Sequence, residues 1–265
     1  MIVLNVVIAV GALIMFFPFL WTIITSITPG ASLTSAPALI PENPSLGAYG
    51  RLFTERPFGQ VVLNSIMLAG ITTAVQLVTS STAAYAFSRL PFKGQGAVFA
   101  VYLATMMIPL QVLIVPLFVE LKTFGLLDTY LGALLPTFAS AFGIFLLRQA
   151  VNQVPRELDE AATLDGANHF TIYRRVIFPL LKPAIATVII IKGVAIYNEF
   201  YIPFLYMPSQ DLAVVSTSLF RFRGPLGTQW EVLSAGALLV IIPTLIVFLV
   251  LQRYIYNGLS AGATK

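Results

Sequence analysis

The sequence predicts an all-α integral membrane protein: six transmembrane helices and one polar helix-turn-helix carried on a loop. Three observations point there. Hydrophobic residues make up 58% of the chain and charged residues 10%, with a mean hydropathy of +0.89, too little charge for a water-facing surface. Apolar runs longer than about 18 residues, the length that spans a bilayer core, recur between short Pro/Gly-rich or charged loops. The one long polar passage, "EAATLDGANHFTIYRRVIFPLLKP" from Glu160 to Pro183, gathers acids, a histidine, two arginines and a lysine between two greasy segments.

The six spans are Ile2 to Ile27, Val61 to Phe87, Val98 to Leu121, Tyr130 to Leu147, Ala184 to Tyr206 and Val232 to Leu251. The first is too long for a signal-peptide core and no basic residue precedes it, so it is expected to be a retained helix; the missing basic start suggests that a few residues have been trimmed. Pro136 interrupts the fourth, which membrane helices tolerate better than soluble ones do. Loop charge sets the orientation. Arg89, Lys93, Arg148, Arg156, Arg174, Arg175, Lys182, Arg253 and Lys265 fall on one side, and Arg51, Arg56, Lys122, Arg221 and Arg223 on the other. The richer side is expected to be cytoplasmic, with both chain ends inside. The proline- and glycine-rich loops 28–60 and 207–231 then lie outside, and 1–265 forms a single transmembrane domain whose polar hairpin covers about 155–179.

Within that hairpin Pro155 suits a helix start, and Glu157, Asp159 and Glu160 fall in the first turns, where the helix dipole favours negative charge. Gly166 offers a left-handed cap that stops the helix, Asn168 can cap a second one from His169 to about Ile177, and Pro179 and Pro183 are expected to break the chain back into the bilayer. Leu158, Ala161, Ala162 and Asp165 share one side of the first helix. Small side chains there would let a partner's cleft approach the backbone.

This passage resembles the EAA loop of permease subunits in ATP-binding-cassette importers: Glu-Ala-Ala, three residues, Gly, nine residues, then Ile-x-Leu-Pro. Glu160, Ala161, Ala162, Gly166 and Pro179 stand at that spacing, with Val176 and Phe178 as conservative departures. Six spans, "YNEF" at Tyr197 to Phe200 and the ending "YNGLSAGATK" extend the resemblance, over nearly the whole chain, to MalG-like permeases of carbohydrate importers; Tyr197 stands where that family usually has Trp. The resemblance implies a type I importer permease fold in the cell membrane and one half of a translocation path for a sugar or oligosaccharide. It also implies a second homologous permease, two ATPase subunits that bind ATP and Mg, and an extracellular solute-binding protein. Glu160, Ala161, Ala162, Asp165, Gly166 and Pro179 would couple to the ATPases.

Other residues carry competing readings. Lys192, about 12 Å inside the fifth span at 1.5 Å per residue, and Glu199 two turns on could line a water-filled path with Asn198, or Lys192 could snorkel to the interface. Thr72, Gln76 and Thr79 make a polar stripe that either bonds other helices or touches solute. Gly70 and Ala74 read as a packing seam. Arg223, Gly224, Pro225, Leu226 and Gly227 sit where the family's binding-protein contact loop lies, or form an ordinary turn.

The exclusions are simple. With no cysteine and one histidine, thiol chemistry is absent and a metal or cofactor in this chain is not expected. Scattered basic residues make no nucleic-acid stripe. No phosphate-binding loop is present, so the chain is expected to be a non-catalytic subunit. "LDGA" has Ala162 where a CDP-alcohol phosphotransferase needs Asp. Permeases for glycerol-phosphate-type solutes, and a secondary transporter or channel, are the alternatives.

Overall fold

In the computed structural model residues 2–31, 41–55, 57–224 and 227–263 are described; Arg56, Pro225, Leu226 and Lys265, invoked above, lie outside them. Three helices are long and apolar enough to cross a membrane unbroken: α1 (Ile2–Ser26), α3 (Phe58–Arg89) and α13 (Trp230–Ala263). Between α1 and α3 lies the short α2 (Gly47–Thr54). The other three expected spans correspond to helix pairs that are long and apolar enough only when taken together across a sharp bend. In the third, α4 (Gln95–Met107) and α5 (Leu110–Thr123) meet at 95°. In the fourth, α6 (Tyr130–Thr137) and α7 (Ala141–Gln153) meet at 47°. After α8 (Glu157–Leu164), α9 (His169–Leu180) and α10 (Lys182–Tyr197) meet at 75°.

Each break has a local cause. Ile108 precedes Pro109 and is pushed to an extended ψ of 112°, because the proline ring crowds the helical conformation of the residue before it. In the fourth span the chain opens after Thr137 rather than at Pro136, and extended Ser140 restarts α7 by accepting from the Gly143 N–H at 3.1 Å. In the hairpin, α9 continues through Pro179 and stops at Leu181, against the expectation of a break at Pro179. Pro183 sits in the first turn of α10, where a missing N–H costs nothing. The fifth span ends at Tyr197 rather than Tyr206; Tyr201–Tyr206 is a separate helix, α11.

The chain divides into two compact units. One comprises residues 1–63 and 213–244. In it α1 is exposed along its length and becomes buried only at its foot, where Ser26 shares a hydrogen bond of 2.9 Å with the Tyr49 hydroxyl. Arg51 of α2 pairs with Glu231 at 2.5 Å, and Gly236 passes close to Leu219 of α12 (Val215–Phe220). Two short strands, β1 (Arg223–Gly224) and β2 (Gly227–Thr228), pair antiparallel.

The other unit, residues 64–212 and 245–265, is built on α3. That helix is inside-out in polarity. Thr72, Gln76, Ser80 and Ser81 are buried, while Ile66, Ile71 and Val78 are exposed, as suits a helix whose outer side meets lipid or another apolar chain. Below the polar stripe Ala84 and Tyr85 join Leu147, Val151, Ile172, Ile177 and Leu181 in the core.

Gly132 near the start of α6 has no room for a side chain: an added Cβ would collide with the Leu126 carbonyl oxygen. Gly132→Ala is therefore expected to destabilise the detergent-solubilised protein by about 1–3 kcal/mol through overpacking. Thermal unfolding checks this, and an unchanged midpoint would count against the packing described.

Candidate functional site

The hairpin is built from local chemistry. Helix α8 begins with Glu157, Asp159 and Glu160 in its first turn and ends at Gly166, whose φ of +82° is the left-handed conformation expected of a glycine cap. The Asn168 side chain accepts from the Thr171 N–H at 2.9 Å and so caps α9. Through Tyr173–Ile177 the helix widens into a π-type turn carrying Arg174 and Arg175.

The hairpin has an anchored side and a free side. Asp159 meets Arg89 at 2.5 Å, the Tyr173 hydroxyl shares a hydrogen bond of 2.7 Å with Ser81, and the Tyr85 hydroxyl lies 3.4 Å from His169 Nδ1. Ala162 packs against the core. This corrects the single outward face expected for Leu158, Ala161, Ala162 and Asp165: Ala162 turns inward and the other three remain exposed. The free side carries Glu160, Ala161, Asp165 and Gly166, with Leu164 90% exposed and Phe170 66% exposed. Pro179 is exposed on the far end of α9. Leu164, Phe170 and the Arg89 anchor were not singled out from the sequence; Leu164, as an apolar residue two positions before the glycine cap, was the available signal.

The second feature is a half-open cavity of about 410 Å³ lined by α3, the breaks of the third and fourth spans, α10 and α11. Its volume falls in the range of small-molecule sites. Thr72, Gln76, Lys192 and Glu199 line it together, and Asn198 does not; the Asn198 amide instead returns to the Val194 carbonyl at 2.9 Å. Lys192 sits in a π-type turn, Ile189–Gly193, with its ammonium 5.4 Å from the centre of the Phe142 ring, within cation–π reach. The Glu199 carboxylate accepts from the Tyr201 N–H at 2.9 Å.

The polar stripe of α3 serves the fourth-span break. Gln76 Nε2 donates to the Thr137 carbonyl, Thr79 donates to the Phe138 carbonyl at 3.1 Å, and Ser80 reaches the Ser140 carbonyl at 3.5 Å. Interhelical bonding and cavity lining thus coincide at Gln76. Gly70 and Ala74 are exposed, with nothing within 4 Å of a Cβ placed on Gly70, so no seam forms there within the described chain; the tight small-residue contact is instead Gly143 against Ser80. Among the described residues no three His, Cys, Asp or Glu gather in a metal-binding group. The backbones of Arg223, Gly224 and Gly227 form the short strand pair, and Pro225 and Leu226 lie outside the described residues.

Residues 66–260 match the model of the binding-protein-dependent transport system inner membrane component family. The chain belongs to this family. It is 31% identical over 258 residues to the arabinooligosaccharides transport system permease protein AraQ of Bacillus subtilis, covering 96% of this chain and 92% of that one. It is likewise 31% identical to the galactooligosaccharides transport system permease protein GanQ of the same organism, covering 96% and 92%. Among solved structures it resembles a chain of a bacterial ABC transporter involved in import of the acidic polysaccharide alginate, with a TM-score of 0.84, 26% identity and coverage of 96% and 95%. This is a multi-pass membrane protein of the ABC-transporter permease kind.

Gln76→Leu leaves the Thr137 carbonyl at the break without its donor, and a buried unpaired group costs about 1–3 kcal/mol. A fall of that size in unfolding stability is expected, against a smaller one for Thr79→Val, whose partner carbonyl is more exposed. Equal losses would contradict the assignment.

Proposed function

We propose that this chain forms half of the translocation path of an ATP-driven importer for a sugar or oligosaccharide, delivered by a solute-binding protein on the outer face. In this reading a second, homologous permease forms the other half. Two ATPase subunits, which hold the ATP and Mg, grip the free side of the hairpin, and both chain ends face the cytoplasm with it. The carbohydrate class is supported by the arabinooligosaccharide and galactooligosaccharide transport systems to which the similar proteins AraQ and GanQ belong.

The observation that carries the reading is the hairpin's two-sidedness. Its inner side is tied to α3 and the core, while its outer side offers Leu164 and Phe170 to something else. Exposed large apolar groups beside polar ones mark a contact surface. A partner that clamps this side and moves would carry the anchored helices with it, the rigid-body kind of switch used in alternating access. The cavity gives such a movement something to open and close. Lys192 and Glu199 are assigned to its polar lining with Gln76 and Thr72, while Arg223, Gly224 and Gly227 frame the outer loop assigned to the binding protein.

The deciding experiment is affinity purification from the membrane in mild detergent. A second permease and ATPase subunits should copurify, and uphill transport by this chain alone in vesicles would overturn the reading. Gly166→Pro cannot keep a φ of +82° and removes the N–H that bonds Thr163 at 3.0 Å. It should leave the complex inserted and abolish uptake of labelled oligosaccharide, whereas Gly166→Ala, with open space around its Cβ, should cost only about 1–2 kcal/mol of backbone strain. Lys192→Leu should reduce uptake at unchanged complex yield.

A further inference from the structure

We propose that the buried Arg89–Asp159 ion pair is the joint by which movement of the hairpin is handed to α3, and through α3 to the broken fourth span beside the cavity. This rests on the reading of the hairpin as the ATPase contact. Arg89 and Asp159 are positioning residues in it; neither touches nucleotide or solute.

The pair occupies a crossing point. Arg89 is the last residue of α3, Asp159 lies in the first turn of α8, and Arg89 Nη2 also donates to the carbonyl of Val154, the residue that closes α7, at 2.7 Å. One guanidinium therefore holds the ends of three helices. Its side chain is 6% exposed and that of Asp159 18%, unlike the Arg51–Glu231 pair, whose arginine is 40% exposed. Both carboxylate oxygens of Asp159 are buried and have no aligned hydrogen-bond donor, so among the described residues Arg89 is the cation that compensates that charge, with the N-terminal end of α8 beside it. A buried charge that loses its one partner is heavily penalised, so the pair resists separation and transmits displacement instead.

The rest of α3 is suited to carry that displacement. Ser81, Tyr85 and Arg89 are spaced four apart and hold Tyr173, His169 and Asp159 of the hairpin. Thr72, Gln76 and Ser80 repeat the same spacing higher up and hold the fourth-span break or line the cavity. No proline interrupts α3 between them, and Arg89 to Gln76 is about 20 Å of continuous helix at 1.5 Å per residue. The receiving end is the 47° junction of α6 and α7, whose carbonyls hang on α3 side chains.

The test uses the complete importer, with its second permease, ATPases and binding protein, reconstituted in nanodiscs. The chain has no cysteine, so spin labels at Glu157→Cys and Met107→Cys, both exposed and neither in the proposed contact, report the distance between hairpin and the third-span break. With Arg89 intact, ATP and vanadate should shift that distance. Arg89→Met should reduce the shift at least threefold while ATP hydrolysis stays within twofold, Arg89→Lys should retain most of it, and adding Asp159→Asn to Arg89→Met should cause no further loss. A full shift in Arg89→Met, or in Asp159→Asn should Arg89→Met not assemble, overturns the joint. No shift in the complex with Arg89 intact would instead be a failure of the ATPase-contact reading itself.

Discussion

A backbone carbonyl released from its helix inside an apolar layer must find a donor, and most of this architecture follows from that requirement. Three apolar helix pairs are sharply bent, and each bend frees such groups. Helix α3 answers at the fourth-span break with Gln76, Thr79 and Ser80. At its own end the debt is reversed: the Phe87 carbonyl is taken by Gln95 at 2.7 Å and by Arg148 at 3.3 Å. The polar face of α3 is thus turned inward because irregular backbone is there to be bonded, and a cavity with polar walls is what remains between those bonds.

The hairpin shows the complementary economy. Its helices are too short to be stable alone, so they are fixed by tertiary contacts on one side: Asp159, Ala162, Tyr173 and His169 against α3 and the core. That leaves the opposite side free of structural duty. Leu164 is 90% exposed there, so the fold gains almost nothing from burying it.

Much of the hairpin was legible because cap chemistry is local. Gly166 and Asn168 announce their roles within three residues of sequence, and both stand as read. The continuous spans were equally plain from apolar length. The bends were not. Pro136 signals a missing hydrogen bond, but the chain opens beyond Thr137, where α3 can supply donors, and donors sixty residues away carry no local signal. Ala162 was misplaced for a related reason: its position on the helix borders both faces, and only the packing of α9 and the core decides between them. Lys192 and Glu199 were rightly suspected of sharing one side, since both line the same cavity, but the widened turn that carries Lys192 has no signature in residue type.

Helix α1 is almost wholly apolar and is exposed along most of its length. Such a rod has no preferred rotation about its own axis, since every azimuth presents the same oily surface. Its foot acts as the key, through buried Ile24 and Thr25 and the Ser26–Tyr49 hydrogen bond. The angular setting of some 25 residues is fixed at one end, like a dowel held by one pin.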